Sequence, residues 1–151
     1  TRKTVPGLRA LQKAAVQAGG GQNHRMGLYD AVLIKDNHIA VAGSVEVAVE
    51  QARAAVGPGT SIEIEVESTE QLEAAIAAGA DIVMLDNMSV NEMREAVLIT
   101  DGRCRTEASG GITIATIREV AKTGVDMISV GWITHSAPAL DVALDLEYLE
   151  G

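Results

Sequence analysis

Residues 62–85 read IEIEVESTEQLEAAIAAGADIVML, and this stretch decides the fold class. Apolar and acidic residues alternate from Ile62 to Glu67, which is typical of a strand, and a helix is predicted from Ser68 to Ala78. Ser68-x-x-Gln71 has the form of a capping box at the start of that helix. A second apolar strand is predicted from Ile82 to Leu85. A strand, a helix and a strand in this order predict a parallel sheet with helices outside it.

The same unit recurs along the rest of the chain. Periodicity and turn residues predict helices from Pro6 to Ala18, at 44–56, from Ser89 and at 113–122. They also predict strands at 31–36, 104–108 and 127–130. A last apolar stretch lies at about 140–149. Ser89-x-x-Glu92 is a second capping box. Strand and helix therefore alternate throughout.

An internal repeat narrows the architecture. Ala74–Val83 resembles Glu119–Ile128, with Gly and Asp in register 45 residues apart. This spacing is two strand-helix units, and a uniform repeat favours a barrel over a doubly wound sheet. The predicted fold class is α/β, a TIM-like open (β/α) barrel with parallel strands. Since five or six strands are fewer than the eight of a closed barrel, either the barrel is open or elements before Thr1 complete it.

Charge is distributed unevenly along the chain. Residues 1–38 hold six of the twelve Lys and Arg residues and only two acids, whereas residues 39–151 hold six basic and nineteen acidic residues. The formal net charge is −9 and the isoelectric point is about 4.7. A positive segment in an acidic protein indicates a small, highly anionic ligand. A nucleic-acid partner is not expected, because it would need a broad basic face.

Composition places the chain among globular proteins. Its 151 residues, 47% of them apolar, suit one domain over residues 1–151. It contains no run of eighteen apolar residues and no secretory signal, so we expect no membrane partner and a cytoplasmic location. The single cysteine, Cys104, lies in an apparent strand, which favours packing over reactivity. Because the first residues read as the end of an element, we expect further chain before Thr1.

The first group of candidate site residues is cationic. It comprises Arg2, Lys3, His24, Arg25 and Lys35, which follow strands or lie on loops that can reach the same barrel mouth. Several cations together suit a ligand with two or more negative groups. Scattered surface charge is the alternative, and it is weakest for Lys35, which ends an apolar strand. A Schiff-base role for Lys35 also stays open.

The second group is acidic. Glu63, Glu65 and Glu67 share one face of their strand, so the apolar residues between them should pack against the helices. Asp86 ends the next strand and should stand beside Glu65. Two carboxylates at neighbouring strand ends can hold Mg²⁺, so Glu65 and Asp86 are the candidate metal ligands. The alternative is a set of internal salt bridges to Lys35 or Arg105.

The third group is small and suits phosphate. Ser109, Gly110 and Gly111 precede a predicted helix, and Gly131 and His135 follow the last clear strand. Glycines let the backbone approach a ligand, and barrels often bind phosphate after their late strands. The three groups together describe a pocket for a polycarboxylate beside a site for a metal-bound phosphorylated compound. Transfer chemistry between two anionic substrates is the natural inference.

The motifs also resemble those of a known family. They are residues 1–4 (TRKT), 6–9 (PGLR), 19–21 (GGG), 23–26 (NHRM), 33–38 (LIKDNH), 63–67 (EIEVE), 84–88 (MLDNM), 107–112 (EASGGI) and 130–131 (VG) with 134–136 (THS). In this order they resemble the quinolinate phosphoribosyltransferases, the carboxylating nicotinate-nucleotide pyrophosphorylases. The resemblance implies condensation of quinolinate with phosphoribosyl pyrophosphate to nicotinate mononucleotide, pyrophosphate and CO₂ in NAD synthesis.

The resemblance also implies roles. The cradle for quinolinate would be Arg2, Lys3, His24, Arg25 and Lys35; the acids for Mg²⁺ and ribose would be Glu65 and Asp86; and the phosphate positions would be Ser109, Gly110, Gly131 and His135. Lys35, Glu65 and Asp86 would be catalytic.

Two departures from the family pattern matter. Trp132-Ile133 stands where the family usually has smaller residues, so its ring should crowd the phosphate region. The family's N-terminal domain is absent from the 151 residues, and with it an arginine that crosses a dimer interface. The resemblance thus implies that residues 1–151 are a partial C-terminal catalytic barrel domain. We therefore expect a homodimer or higher homo-oligomer for the full-length protein and no turnover by this chain alone.

Two other interpretations stay open. One is a related barrel that acts on another anionic base, such as the homologue associated with molybdenum-transport operons. The other is a non-catalytic barrel that binds phosphate without performing chemistry. Affinity for the phosphoribosyl donor without affinity for quinolinate would favour either of them.

Overall fold

One parallel sheet organises the molecule. The computed structural model describes residues 2–147, and within them the strands are Val32–Ile34 (β1), Ile62–Val66 (β2), Ile82–Asp86 (β3), Arg105–Ser109 (β4) and Met127–Ile128 (β5). They pair in chain order, every neighbouring pair parallel. No pairing joins β5 to β1 within this part of the chain, so the sheet is open. The predicted parallel α/β architecture and open barrel are confirmed.

Helices connect the strands. Within residues 2–147 they are Arg9–Ala18 (α1), Asp36–Ala42 (α2), Val45–Ala55 (α3), Thr69–Ala77 (α4), Val90–Thr100 (α5), Ile117–Ala121 (α6) and Trp132–His135 (α7). None of them is both long and apolar enough to cross a membrane. Residues 137–147 form neither helix nor strand, and the end of the apolar stretch predicted at about 140–149 lies outside the described residues.

Side-chain caps explain where the middle helices begin. The hydroxyls of Ser44, Ser68 and Ser89 each accept the amide hydrogen three residues further on. At Ser89 the predicted capping box is complete, because Glu92 accepts the Ser89 amide in return. At Ser68 the predicted box is wrong in one half, since Gln71 accepts the amide of Glu67 instead.

Four other helices differ from the prediction. Helix α1 begins at Arg9 and not at Pro6, which lies in the preceding turn. Helix α6 begins at Ile117 and not at Thr113, because the Thr116 hydroxyl accepts the Thr113 amide in a turn before the helix. Helices α2 and α7 were not predicted, since their seven and four residues lack a stretch of periodicity long enough to detect.

The repeated Gly and Asp residues have a structural role. Gly79 and Gly124 both end a helix with positive φ, at 81° and 92°. Asp81 accepts the amide of Ile62 at 2.7 Å, and Asp126 accepts the amide of Thr106 at 2.7 Å. Each Asp therefore joins the start of its own strand to the start of the preceding one. The repeat marks two equivalent joints of the barrel.

The sheet separates an apolar side from a charged side. Ile62, Ile64 and Val66 are fully buried in the core that also contains Leu72 of α4. The glutamates between them point to the opposite, inner face, as the alternation predicts. Cys104 precedes β4 and packs against the core, and this burial raises the pKa of its thiol. The prediction that Cys104 packs is confirmed.

Candidate active site at the carboxyl ends of the strands

A cavity of about 570 Å³ opens at the carboxyl ends of the strands. Each of the eleven site residues that the sequence singles out lines it: Arg2, Lys3, His24, Arg25, Lys35, Glu65, Asp86, Ser109, Gly110, Gly131 and His135. These residues come from seven separate segments of the chain. The parallel sheet brings them together because the ends of all its strands lie on the same edge.

Two further basic residues of the first 38 hold the cationic loops in place. Lys13 of α1 is 3% exposed, and its ammonium donates to the carbonyls of His24 at 2.5 Å and Arg25 at 2.8 Å. Burial lowers the pKa of Lys13. Arg9 donates to the carbonyl of Arg2 at 3.1 Å. The sequence did not indicate these roles, because periodicity does not show which basic residue of a helix turns inward.

Arg25 is anchored at the wall of the cavity. Its guanidinium donates to the carbonyl of Ala31 at 3.2 Å, next to β1. Burial and then the neighbouring Arg2 lower the pKa of Arg25, while Glu63 and nearby acids act in the other direction. An arginine starts from so high a pKa that it stays charged at neutral pH. Arg2 and Arg25 are thus close enough for their charges to interact.

The acids stand opposite these cations. Glu65 forms an ion pair with Lys35 at the ends of neighbouring strands. Asp86 accepts the side-chain amide of Asn87 at 2.8 Å. Of the two internal salt bridges that the sequence left open for the acids, the one with Lys35 is present. Glu65 and Asp86 line the same cavity, so both carboxylates can reach one ligand.

Ser109, Gly110 and Gly111 lie on a tight loop that lines the cavity. The Asn87 amide donates to the carbonyl of Ser109 at 3.0 Å, which joins the ends of β3 and β4. Gly110 has a φ of 95°, and a Cβ built there would lie 2.8 Å from the Asn87 nitrogen. Only glycine fits this position. Because α6 begins six residues beyond Gly111, the amides that face the cavity belong to a loop and not to a helix N-terminus.

The last strand brings Trp132 into the same wall. Gly131 precedes α7, and a Cβ there would approach the His135 Nε2 to 3.1 Å. The His135 Nδ1 lies 2.6 Å from the Ser136 hydroxyl. Trp132 lines the cavity beside them, which agrees with the expected crowding of this region. Its buried indole nitrogen has no hydrogen-bond partner within the described residues.

His24 reaches deeper than the other cations. Its Nε2 lies 2.9 Å from a carboxylate oxygen of Glu63 and 4.0 Å from one of Glu107. Ser129 donates to Glu107, but burial and then Glu63 raise the pKa of Glu107. The sequence assigned no role to Glu107, since nothing local in the motif that contains it shows that it meets Glu63.

Fold and cavity together define a class of protein. An open parallel α/β barrel with an anion-binding mouth, opposed carboxylates and a glycine loop is typical of enzymes that act on phosphorylated substrates. The family model "Quinolinate phosphoribosyl transferase, C-terminal domain" matches residues 1–145. The chain belongs to this family.

Individual relatives agree with this assignment. The chain is 52% identical over 146 residues to a "Probable nicotinate-nucleotide pyrophosphorylase (carboxylating)" from Bacillus subtilis, which covers 97% of the chain and 50% of the relative. It is 50% identical over 149 residues to the "Nicotinate-nucleotide pyrophosphorylase (carboxylating)" of Mycobacterium leprae, covering 97% and 52%. The solved nicotinate-nucleotide pyrophosphorylase of Francisella tularensis matches with a TM-score of 0.89 and 51% identity over 93% of the chain and 50% of that structure. The chain thus spans about half the length of these relatives.

Proposed function

We propose that the protein containing this chain transfers the phosphoribosyl group of phosphoribosyl pyrophosphate to quinolinate. Decarboxylation follows, and the products are nicotinate mononucleotide, pyrophosphate and CO₂, a step of NAD synthesis. One observation carries the proposal: cations from the first 38 residues meet Glu65 and Asp86 around a single cavity. The names of the relatives from Bacillus subtilis and Mycobacterium leprae support the choice of reaction.

The cations would hold quinolinate by its two carboxylates. Arg2 and Arg25 offer planar forks to a carboxylate, while Lys3 and Lys35 offer point charges. His24 would complete this cradle on its deep side. Because the same cations surround the ring, they would also temper the negative charge left there when the 2-carboxylate departs as CO₂. Lys35 would remain paired with Glu65 until the ligand arrives.

Mg²⁺ fits the acidic side of the cavity. Glu65 and Asp86 supply two carboxylates on neighbouring strands, and Mg²⁺ usually takes one or two carboxylates together with substrate phosphates. When bound, the ion would neutralise the charge that grows on the pyrophosphate leaving group. Glu65 and Asp86 would also face the ribose hydroxyls. Their negative charge would then favour the oxocarbenium-like ribosyl centre that the pyridine nitrogen attacks.

The glycine loop would hold phosphate. The phosphate would lie between the backbone amides of Ser109 and Gly110 on one side and Gly131 and His135 on the other. Since glycine has no side chain, Gly110 and Gly131 leave this space free for the ligand. Trp132 adds the donor group of its indole, which has no partner among residues 2–147. Such donors suit the oxygens of a phosphate group.

The whole enzyme is part of the same proposal. Since the chain spans about half of its relatives, we infer that a further domain completes the active site and that the active form is a homodimer or higher homo-oligomer in the cytoplasm. The apolar side chains of Leu28, Tyr29 and Val41, between 71% and 91% exposed, are consistent with a surface that other protein covers. Sedimentation of the full-length protein tests the oligomeric state.

Calorimetric titration tests the reaction. Quinolinate should bind the protein, and the phosphoribosyl donor should bind more tightly with Mg²⁺ than without it. Incubation of the full-length protein with both substrates should release CO₂ and pyrophosphate in equal amounts. Donor binding with no quinolinate binding would contradict the proposal and favour a barrel for another anionic base or a non-catalytic phosphate binder.

A further inference from the structure

A second cluster of metal-binding side chains lies deeper in the barrel than the proposed magnesium site. His24 from the loop after α1, Glu63 of β2 and Glu107 of β4 place one donor atom each within 4.8 Å of the others. The two glutamates come from alternate strands, and inward side chains of alternate strands share one layer in barrels of this type. The barrel geometry therefore sets two carboxylates and one imidazole against each other.

The cluster holds two carboxylates that are both buried. Glu63 is 5% exposed and Glu107 is 4% exposed. Among residues 2–147, His24 is the only basic group within 4.0 Å of either carboxylate. One carboxylate oxygen of Glu63 is buried without any hydrogen-bond partner in the same part of the chain. Buried carboxylates need a charge partner and hydrogen bonds, so an oxygen left without either indicates a missing ligand.

Distances and donor types point to a transition metal. Ligands of Zn²⁺ lie about 2.0–2.2 Å from the ion, hence within about 3.5 Å of each other. The His24 Nε2 is already 2.9 Å from Glu63 and 4.0 Å from Glu107, so a small movement of Glu107 closes the set. One imidazole and two carboxylates suit Zn²⁺, Mn²⁺, Fe²⁺ or Co²⁺, whereas Mg²⁺ prefers oxygen ligands alone.

An ion could enter without crossing the substrate cavity. A separate cavity of about 520 Å³ opens at the amino ends of the strands, and the three cluster residues line it. Arg105 and Asp126 stand in its wall with charges of opposite sign. We propose that His24, Glu63 and Glu107 bind a divalent transition-metal ion inside the barrel, separate from the site at Glu65 and Asp86. Such an ion would fix the His24 ring, and with it the loop that carries Arg25, to β2 and β4.

Metal titration of the purified protein tests the proposal without any substrate. Co²⁺ alone, followed by visible absorption, and Zn²⁺ alone, followed by calorimetry, should each bind at one saturable site per chain. Zn²⁺ should also raise the melting temperature, because a ligand of the folded state stabilises it. Glu63→Gln and Glu107→Gln keep the side-chain shape but lose the charge, so each should weaken Zn²⁺ binding about tenfold or more.

Two variants serve as controls. Asp86→Asn removes a ligand of the other proposed site, and Cys104→Ser removes the thiol, and both should leave Zn²⁺ affinity unchanged. Absence of saturable binding to the wild-type protein would overturn the proposal, as would equal affinity in the wild type and both Gln variants. If the Gln variants do not fold, anomalous diffraction at the zinc edge from wild-type crystals decides. A peak between the three side chains supports the site, and its absence there overturns it.

Discussion

The cations of the cavity are held in different ways, and this decides what each can do. Lys35 is paired with Glu65, Arg25 is fixed to the carbonyl of Ala31, and the backbone of Arg2 is held by Arg9. Lys35 must exchange a protein carboxylate for a substrate carboxylate. Within residues 2–147 the Arg25 guanidinium has no ion pair to give up, because it donates to a backbone carbonyl.

Arg25→Ala should therefore weaken quinolinate binding strongly. The expected loss is about 1.5–3 kcal/mol, the value of a hydrogen bond to a charged group, and donor binding should stay nearly intact. Calorimetry with each substrate measures both. Arg94→Ala is the matched control, because Arg94 lies on the exposed face of α5 and, among residues 2–147, donates a hydrogen bond only to Asn91. Equal losses for quinolinate and donor would show that the role of Arg25 is misassigned.

Asp86→Asn should act on the other substrate. Its neutral amide is a poorer ligand for Mg²⁺, so the increase in donor affinity that Mg²⁺ produces should shrink while quinolinate binding persists. Titration of the donor at several Mg²⁺ concentrations, for wild type and variant, measures this difference. An unchanged dependence on Mg²⁺ would count against a role for Asp86 in holding the ion.

Gly110→Ala tests the close approach of two loops. The φ of 95° is strained for alanine, and the new methyl group would meet the backbone of Asn87. We expect a loss of about 1–3 kcal/mol in the free energy of unfolding and weaker donor binding, because the loop must move. Gly57→Ala is the control, since a Cβ there meets no atom within 4 Å. Equal melting temperatures for the two variants would refute the steric argument.

At the scale of elements, equivalent joints recur along the barrel. A glycine with positive φ ends the helix, and an aspartate two residues later bonds to the first residues of the preceding strand. The glycine lets the chain turn back at once, and the carboxylate satisfies a strand amide that has no partner in the ladder. Two such joints, before β3 and before β5, hold the start of each of these strands to the start of the preceding strand.

Asp81→Asn should weaken the joint before β3 in a way that depends on pH. Burial raises the pKa of Asp81. The Ile62 amide and the Arg53 guanidinium together lower it by more than burial raises it, so the pKa lies below its usual value. A carboxyl group whose pKa is lowered by folding stabilises the folded state at pH values above its unfolded-state pKa of about 3.9. This stabilisation is lost as the pH falls through the folded-state pKa.

The difference in unfolding free energy between wild type and Asp81→Asn should accordingly be about 1 kcal/mol at neutral pH, a low figure because the Asp81 side chain is 43% exposed. It should shrink below about pH 4. Urea unfolding at several pH values measures it. Glu73→Gln, on the exposed face of α4, is the control for a simple loss of charge. A difference that grows towards acid pH would contradict the sign.

At the scale of the whole molecule, segments far apart in the sequence meet at helix α1. The side-chain amide of Gln12 donates to the carbonyl of Thr134 at 2.5 Å, and the Thr134 hydroxyl donates to the carbonyl of Lys3 at 2.9 Å. Lys13, one residue on, holds the loop of His24 and Arg25. Helix α1 thus links the loops from the start of the chain to the last strand-helix unit across the open side of the barrel.

Lys13→Met should loosen this arrangement. Methionine fills a similar volume but leaves the carbonyls of His24 and Arg25 without their donor, so we expect a loss of about 1–3 kcal/mol in unfolding free energy. Quinolinate binding should weaken as well, although Lys13 does not line the cavity. Lys122→Met is the matched control, because Lys122, at the end of α6, is exposed and within the described part of the chain pairs only with Glu119. Wild-type quinolinate affinity in Lys13→Met would show that α1 does not position the loop.

The sequence alone predicted the parallel arrangement of the strands, the starts of the three capped helices α3, α4 and α5, and eleven candidate site residues, all of which line the cavity. These features are local or periodic: caps act over three residues, alternation has period two, and parallel strands place their ends on one edge. Helices α2 and α6 were predicted less well, since seven and five residues carry too little periodicity. Whether the site residues perform the proposed roles stays a prediction.

Tertiary structure alone decided which charges meet. Lys13 turns inward to two carbonyls, and Glu107 meets Glu63 and His24 across an intervening strand. Such contacts depend on the stagger and curvature of the sheet and on side chains many residues apart. No local pattern encodes them, because the energy of a buried charge is set by whatever the fold brings within a few ångströms of it.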